Sequence, residues 1–188
     1  PSEPWARARV FGQDCNRALH FALIEALAAA GHPAVAPSFL PEFCQLESPT
    51  WGQASSWSER HVAHISGLGT FGLSGGLITA KGQAVRFGSL VVRAEIPATD
   101  RPYFEPFAYC LYYSRGTCGA CARRCPAGSV TLDGRNKRAC ARHLGPVTAD
   151  YVRKEYGFEG YGCGLCQTGV PCESGIPDPL RIPSGDEI

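Results

Sequence analysis

The chain is 188 residues long, 44% hydrophobic and 19% charged, with a net charge of +1. That is enough apolar residue for a buried core in one domain or two small ones, and nothing in so even a balance calls for nucleic acid or a membrane surface. The most apolar run, residues 21–30, is interrupted by Glu25 and closed by Gly31, so a soluble protein with no membrane partner is expected. Ten cysteines that include ligand-spaced pairs fit a reducing compartment, where thiolates capture metal rather than each other, and the expected setting is cytoplasmic. The chain begins at Pro1 and contains no Met, as expected of a piece of a longer protein.

Residues 1–13 read as irregular, with Pro1, Pro4 and Gly12. Asp14 then offers an N-cap to a helix over 15–30, whose Leu19, Leu23, Ile24 and Leu27 recur at three- and four-residue steps and predict a core-facing stripe. Gly31 and Pro33 end it. A short strand is expected at Val35, and residues 37–51, with three prolines, read as a surface loop. Ser56-Trp57-Ser58-Glu59 has the form of a capping box opening a helix that runs to about Ser66. On that helix His61 and His64 share a face at a spacing that suits either a shared metal or simple packing.

Next come five glycines in ten residues: Gly67, Gly69, Gly72, Gly75 and Gly76. They are candidate cofactor-binding residues, because glycine lets backbone approach a ligand, and equally they suit a loop with several positive φ angles. A hairpin from 77–79 to 85–94, joined around Lys81-Gly82, is predicted to follow. The run 98–102 (Ala-Thr-Asp-Arg-Pro) marks a domain boundary between 1–100, an α/β part truncated at its N-terminus, and a cysteine-rich part, 101–188. Pro126 suits the first position of a short helix, Asp133-Gly134 makes a turn, 148–156 is a further short helix, and the proline-rich tail from Gly175 reads as extended.

The chemistry is concentrated in the cysteines. Cys118-x2-Cys121-x3-Cys125-Pro126 is the end of the bacterial ferredoxin run, which wraps one 4Fe-4S cluster and lends its last cysteine to a second. The position where that run would begin is Arg115, and Cys110 stands in for it. Adding Cys140, Cys163, Cys166 and Cys172 gives eight thiols, the number that two such clusters need. The crosswise pattern assigns Cys110, Cys118, Cys121 and Cys172 to one cluster, and Cys125, Cys140, Cys163 and Cys166 to the other. Two Cys-x2-Cys pairs also suit structural zinc, although zinc gives no reason for eight thiols or for Cys125-Pro126. Cys15 and Cys44 are left over and are expected as buried apolar residues. Arg123, Arg124, Lys137, Arg138 and Arg142 form either a docking face for an acidic electron donor such as ferredoxin or flavodoxin, or a solvated charged face.

The stretch 57–79 (Trp-Ser-Glu-Arg-His-Val-Ala-His-Ile-Ser-Gly-Leu-Gly-Thr-Phe-Gly-Leu-Ser-Gly-Gly-Leu-Ile-Thr), followed by the double cysteine group, resembles the iron-sulfur family that includes epoxyqueuosine reductase and the corrinoid-dependent reductive dehalogenases. The resemblance implies an α+β chain, in which an α/β part holds base-off cobalamin over its sheet and a ferredoxin-like part with two 4Fe-4S clusters delivers electrons to it. It also implies a reductase acting on a tRNA or on a small molecule; the alternative, which the short length and Gln53 support, is an electron-transfer module without a substrate of its own. Two positions depart from the family pattern. Gln53 stands where an aspartate proton donor is expected, and Asp14-Cys15-Asn16 stands for an Asp-Tyr-His signature.

Overall fold

The structure, a computed structural model, describes residues 2–50 and 52–180. The expectations for Pro1 and for the tail from Arg181 lie outside the described residues. The architecture is mixed α+β, with short helices, one long helix, and small antiparallel sheets of two strands each. The contacts divide the chain into two units, each assembled from three stretches. The first comprises the residues up to Ala63, Arg86–Thr99 and Asn136–Gly164, and the second His64–Val85, Asp100–Arg135 and Leu165 onward.

The first unit is dominated by α1 (Glu3–Ala29). This helix starts well before the predicted residue 15, because Ser2 caps it by accepting from Trp5 N–H, and Glu3 and Pro4 occupy its first turn, where an acid and a proline are both favoured. Gly12 does not interrupt it. The Arg86 side chain lies over that glycine and donates to Arg9 O and Gln13 Oε1. At the other end Gly31 has a φ of 83°, with its N–H on Ala28 O and His32 N–H on Leu27 O, the paired closure that a left-handed glycine allows. The predicted stripe is only partly covered. Leu19 and Leu23 are exposed, and the helix buries Ala6 and His20.

β1 (Ala34–Val35) pairs with β6 (Val91–Val92). From within the predicted loop to just beyond it, β2 (Gln45–Ser48) and β3 (Gly52–Ser55) form a hairpin whose mostly polar residues carry little strand signal. α2 (Glu59–Ile65) follows, but not by the Ser56 capping box. Ser58 O receives His61 and Val62 N–H, while Ser56 Oγ accepts from Cys44 N–H and Glu59 Oε2 accepts from Ser89 Oγ. α5 (Lys137–His143) is capped by Asn136 and passes through a π-helical segment, Leu144–Thr148, into α6 (Ala149–Tyr156).

In the second unit the glycine-rich segment is a hairpin of β4 (Gly69–Phe71) and β5 (Leu77–Thr79). The strand predicted over 85–94 does not form as such: the chain turns at Thr79–Gly82, and only Val91–Val92 become strand. β5 finds its partner upstream because Gly69 permits it. Its backbone lies so close to β5 that a Cβ there would sit 2.2 Å from Ile78 O. The hairpin is tied to the segment leading into Cys110 by Phe71 N–H on Pro106 O and by Tyr109 N–H on the fully buried Thr70 Oγ1. β7 (Val130–Thr131) and β8 (Gly134–Arg135) turn through Leu132-Asp133, one residue before the expected Asp133-Gly134 pair, because Gly134 already pairs with Thr131, and Pro126 sits in a turn instead of a helix. The core of this unit is Leu73, Ile78, Tyr103, Tyr109, Cys110 and Val130.

Gly69→Ala forces Ile78 O aside with no flexible side chain to absorb the shift, so it should destabilise the protein by about 1–3 kcal/mol, read as a lowered thermal midpoint.

Candidate metal centre

Three thiols come from one short stretch of the second unit. Cys110 precedes α3 (Leu111–Arg115), which ends at Gly116 (φ 65°). Cys118 follows, and Gly119 (φ 101°) opens α4 (Ala120–Arg123), which carries Cys121. The fourth, Cys172, is brought in by backbone pairing. Gln83 N–H donates to Cys172 O at 2.9 Å and Ala84 N–H to Glu173 O at 3.2 Å. Gly82 makes that approach feasible, since its φ is 81° and a Cβ there would lie 2.0 Å from Glu173 O.

Cys110, Cys118, Cys121 and Cys172 together line one cavity, with about 360 Å3 of empty space including its open mouth. Ile78, Tyr112, Val170 and Pro177 supply an apolar wall. A tetrahedral zinc needs four sulfurs about 2.3 Å from one point. Among the described residues no three His, Cys, Asp or Glu side chains come together closely enough to hold a single metal ion. The thiols ring a void instead.

The electrostatics follow from that crowding. Burial, and then the neighbouring Cys110, Cys118 and Cys166, push the Cys121 thiol up to about 11. Burial, followed by Cys110, Cys121 and Cys118, pushes Cys172 up to about 12. A set of thiolates here needs a compensating positive charge in their midst.

The glycine segment adjoins the same cavity. Gly72 lines it beside Leu73 and Ser74. A Cβ on Gly76 would lie 2.5 Å from Gln83 Oε1, so its bareness makes room for that side chain. Gly67 and Gly75 serve turns at φ 82° and 72°. Gln83, also at the cavity, escaped the reading of the sequence, because a lone glutamine in a turn carries no motif.

The other four cysteines divide between the units. In the second unit, Cys166 and Cys125 pack against the core. Burial would raise the Cys125 thiol, but hydrogen bonds from the Ser129 hydroxyl and from the amides of Val130, Ala127 and Ser129 outweigh it and hold the thiol below the ordinary value. The Ser129 N–H and Oγ both lie 3.2 Å from the sulfur. In the first unit Cys140 is on α5, and Cys163 lies between Gly162 and Gly164. Trp5 packs on that glycine pair, and its indole N–H is buried with no hydrogen-bond partner. Such an orphan donor, beside a cysteine loop, fits an acceptor held at Cys163.

The remaining candidates serve packing. His64 Nδ1 donates to Gly69 O, with the ring stacked on Tyr103 at 5.2 Å, and His61 Nδ1 lies 2.7 Å from Ser58 Oγ. Cys15 and Cys44, expected to be buried, are exposed. Arg123 donates to Cys118 O, Arg124 to Leu165 O and Lys137 to Gln53 O, while Arg138 pairs with Glu47.

Over 125 residues the chain is 29% identical to an epoxyqueuosine reductase of Bacillus anthracis and 28% identical to one of Bacillus cereus. Each match covers 63% of this chain and 30% of the relative, so the similarity spans under a third of the length of these proteins. No family model matches the chain, and no solved structure matches it significantly.

In the metal-free protein, Cys121 and Cys172 are held protonated relative to an ordinary thiol at 9.0. The stability they contribute is therefore intact below about pH 9 and falls away as pH rises towards 11 and 12. At pH 8 iodoacetamide should label Cys125 more than about tenfold faster than either of them, as read by peptide mass mapping of the metal-free chain.

Proposed function

We propose that the chain is an iron-sulfur oxidoreductase part akin to epoxyqueuosine reductase, in which Cys110, Cys118, Cys121 and Cys172 hold a 4Fe-4S cluster. The observation that carries the reading is the convergence of those four thiols on one apolar-walled cavity, with the similarity to the two bacillary reductases in support. A second cluster on Cys125, Cys140, Cys163 and Cys166 rests on the thiol count and spacing, together with the unpartnered Trp5 indole beside Cys163.

Bound clusters supply one-electron transfer. The residues of the chain do the rest. The thiolates bind, Ile78, Tyr112, Val170 and Pro177 keep water from the first site, and Gly72 and Gly119 let backbone stand close to it. The two Ser129 hydrogen bonds favour the ionised form that Cys125 needs as a ligand. Cobalamin fits less well. Every sheet among the described residues has two strands and offers no broad face for a corrin, so no step is assigned to it. Gln53 is a carboxamide and supplies no acidic proton, so its position carries no protonation step. The reading is accordingly that of an electron relay within a reductase, with the epoxyqueuosine of the relatives' name as the substrate class.

Anaerobic purification should give a brown protein with about eight irons and eight sulfides per chain. Cys172→Ser should remove about half of the iron, and Cys125→Ser should disturb the other half. A colourless protein holding stoichiometric zinc would overturn the reading.

A further inference from the structure

We infer that Gln83 is a positioning residue that sets the redox poise of the centre on Cys110, Cys118, Cys121 and Cys172 by donating a side-chain N–H···S hydrogen bond to the Cys172 sulfur. The inference rests on the cluster reading above and names a determinant of that site outside its thiols.

Gln83 is buried, at 2% exposure, yet it is polar. Every polar atom of its amide is used. Nε2 donates to Cys172 Sγ at 3.0 Å and to Cys166 O at 3.2 Å, while Oε1 accepts from Ser74 Oγ at 3.0 Å. A backbone carbonyl only accepts, so the nitrogen must face Cys166 O, and this fixes the amide the right way round for its second hydrogen to meet the sulfur. The Gln83 backbone is locked to the same cysteine by its N–H on Cys172 O. Ser74, which aligns the amide oxygen, is itself held by Gly76 N–H at 3.2 Å, and Arg135 donates to the Ser74 carbonyl. Gly76 is bare where a Cβ would strike Oε1. Five residues are thus arranged to present one N–H to one sulfur, an arrangement that packing alone does not call for.

The consequence follows from charge. Reduction adds an electron to the cluster and increases the negative charge on its sulfur ligands. A donor aimed at a ligand sulfur therefore stabilises the reduced form more than the oxidised form and raises the potential. Removing the donor lowers it.

The test is an anaerobic redox titration, followed by electron paramagnetic resonance, of the full chain carrying Gln83→Leu, with Gln83→Asn as a second variant that keeps an amide but withdraws it by one methylene. Iron content is measured beside each. The expected result is wild-type iron with reduction disfavoured by about tenfold for this centre, about 59 mV for one electron, and no change at the other centre. Iron retained with an unshifted potential in either variant overturns the inference. Loss of the cluster in both also overturns it, since Gln83 would then be a support of the fold and not a tuning donor. A wild-type chain that holds no cluster would instead defeat the cluster reading itself, which keeps the two failures apart.

Discussion

The second unit depends on one backbone pairing, that of residues 83–84 with 172–173. Cys110, Cys118 and Cys121 lie within a short run and would fall near one another in many folds. Cys172 comes from far along the chain and is delivered by two hydrogen bonds that exist only because Gly82 has no side chain. Without that pairing the cavity has three thiols and an open side. With it, four thiols share a desolvated space, two of them pushed up to about 11 and about 12 by burial and by one another. Ionising all four as ligands would call for a positive charge among them, which the proposed cluster would provide.

The site was legible in the sequence where chemistry dictates spacing. Cys-x2-Cys-x3-Cys-Pro is a geometric requirement on loops wrapping an inorganic cube, so it survives as a pattern whatever the rest of the chain does. That Cys110 joins Cys118 and Cys121 at one cavity was readable from its proximity in sequence. The glycine-rich segment carried a real signal: Gly67 and Gly75 take the positive φ that was one of its two readings, while Gly69 lets strands approach, Gly72 borders the cavity and Gly76 vacates space for Gln83.

Other features left no such trace. The β2–β3 hairpin is built from Gln, Leu, Glu and Ser against Gly, Gln, Ala and Ser, residues with no alternation to read. The start of α1 was hidden by Pro4 and Gly12. Pro4 is benign in a first turn, and Gly12 lies beneath the Arg86 side chain. Residues 85–90 look like a strand by composition, but β5 is already paired upstream and competition between partners is not a local property. Gln83 was invisible for a similar reason. Its role depends on Cys166 and Cys172, which only the fold brings beside it.

The balance of the core links the proposed cluster to folding. Leu73, Ile78 and Val130 are the aliphatic members of the second unit's buried cluster, and around them stand Ala108, Ala122 and Ile176, tyrosines, and the sulfurs of Cys110, Cys121, Cys125, Cys166 and Cys172. Hydrocarbon burial stabilises a domain by about 25 cal/mol per Å2, and a thiol-lined void gives up much of it. A ligand that bonds to those sulfurs replaces the missing packing, so its binding free energy becomes folding free energy. In the proposed centre the same cysteines would both bind the cluster and complete the core, and a substitution at any of them would act on both. A donor such as Gln83, which reaches the sulfur of a proposed ligand without itself being one, is where the proposed centre's potential can be separated from stability.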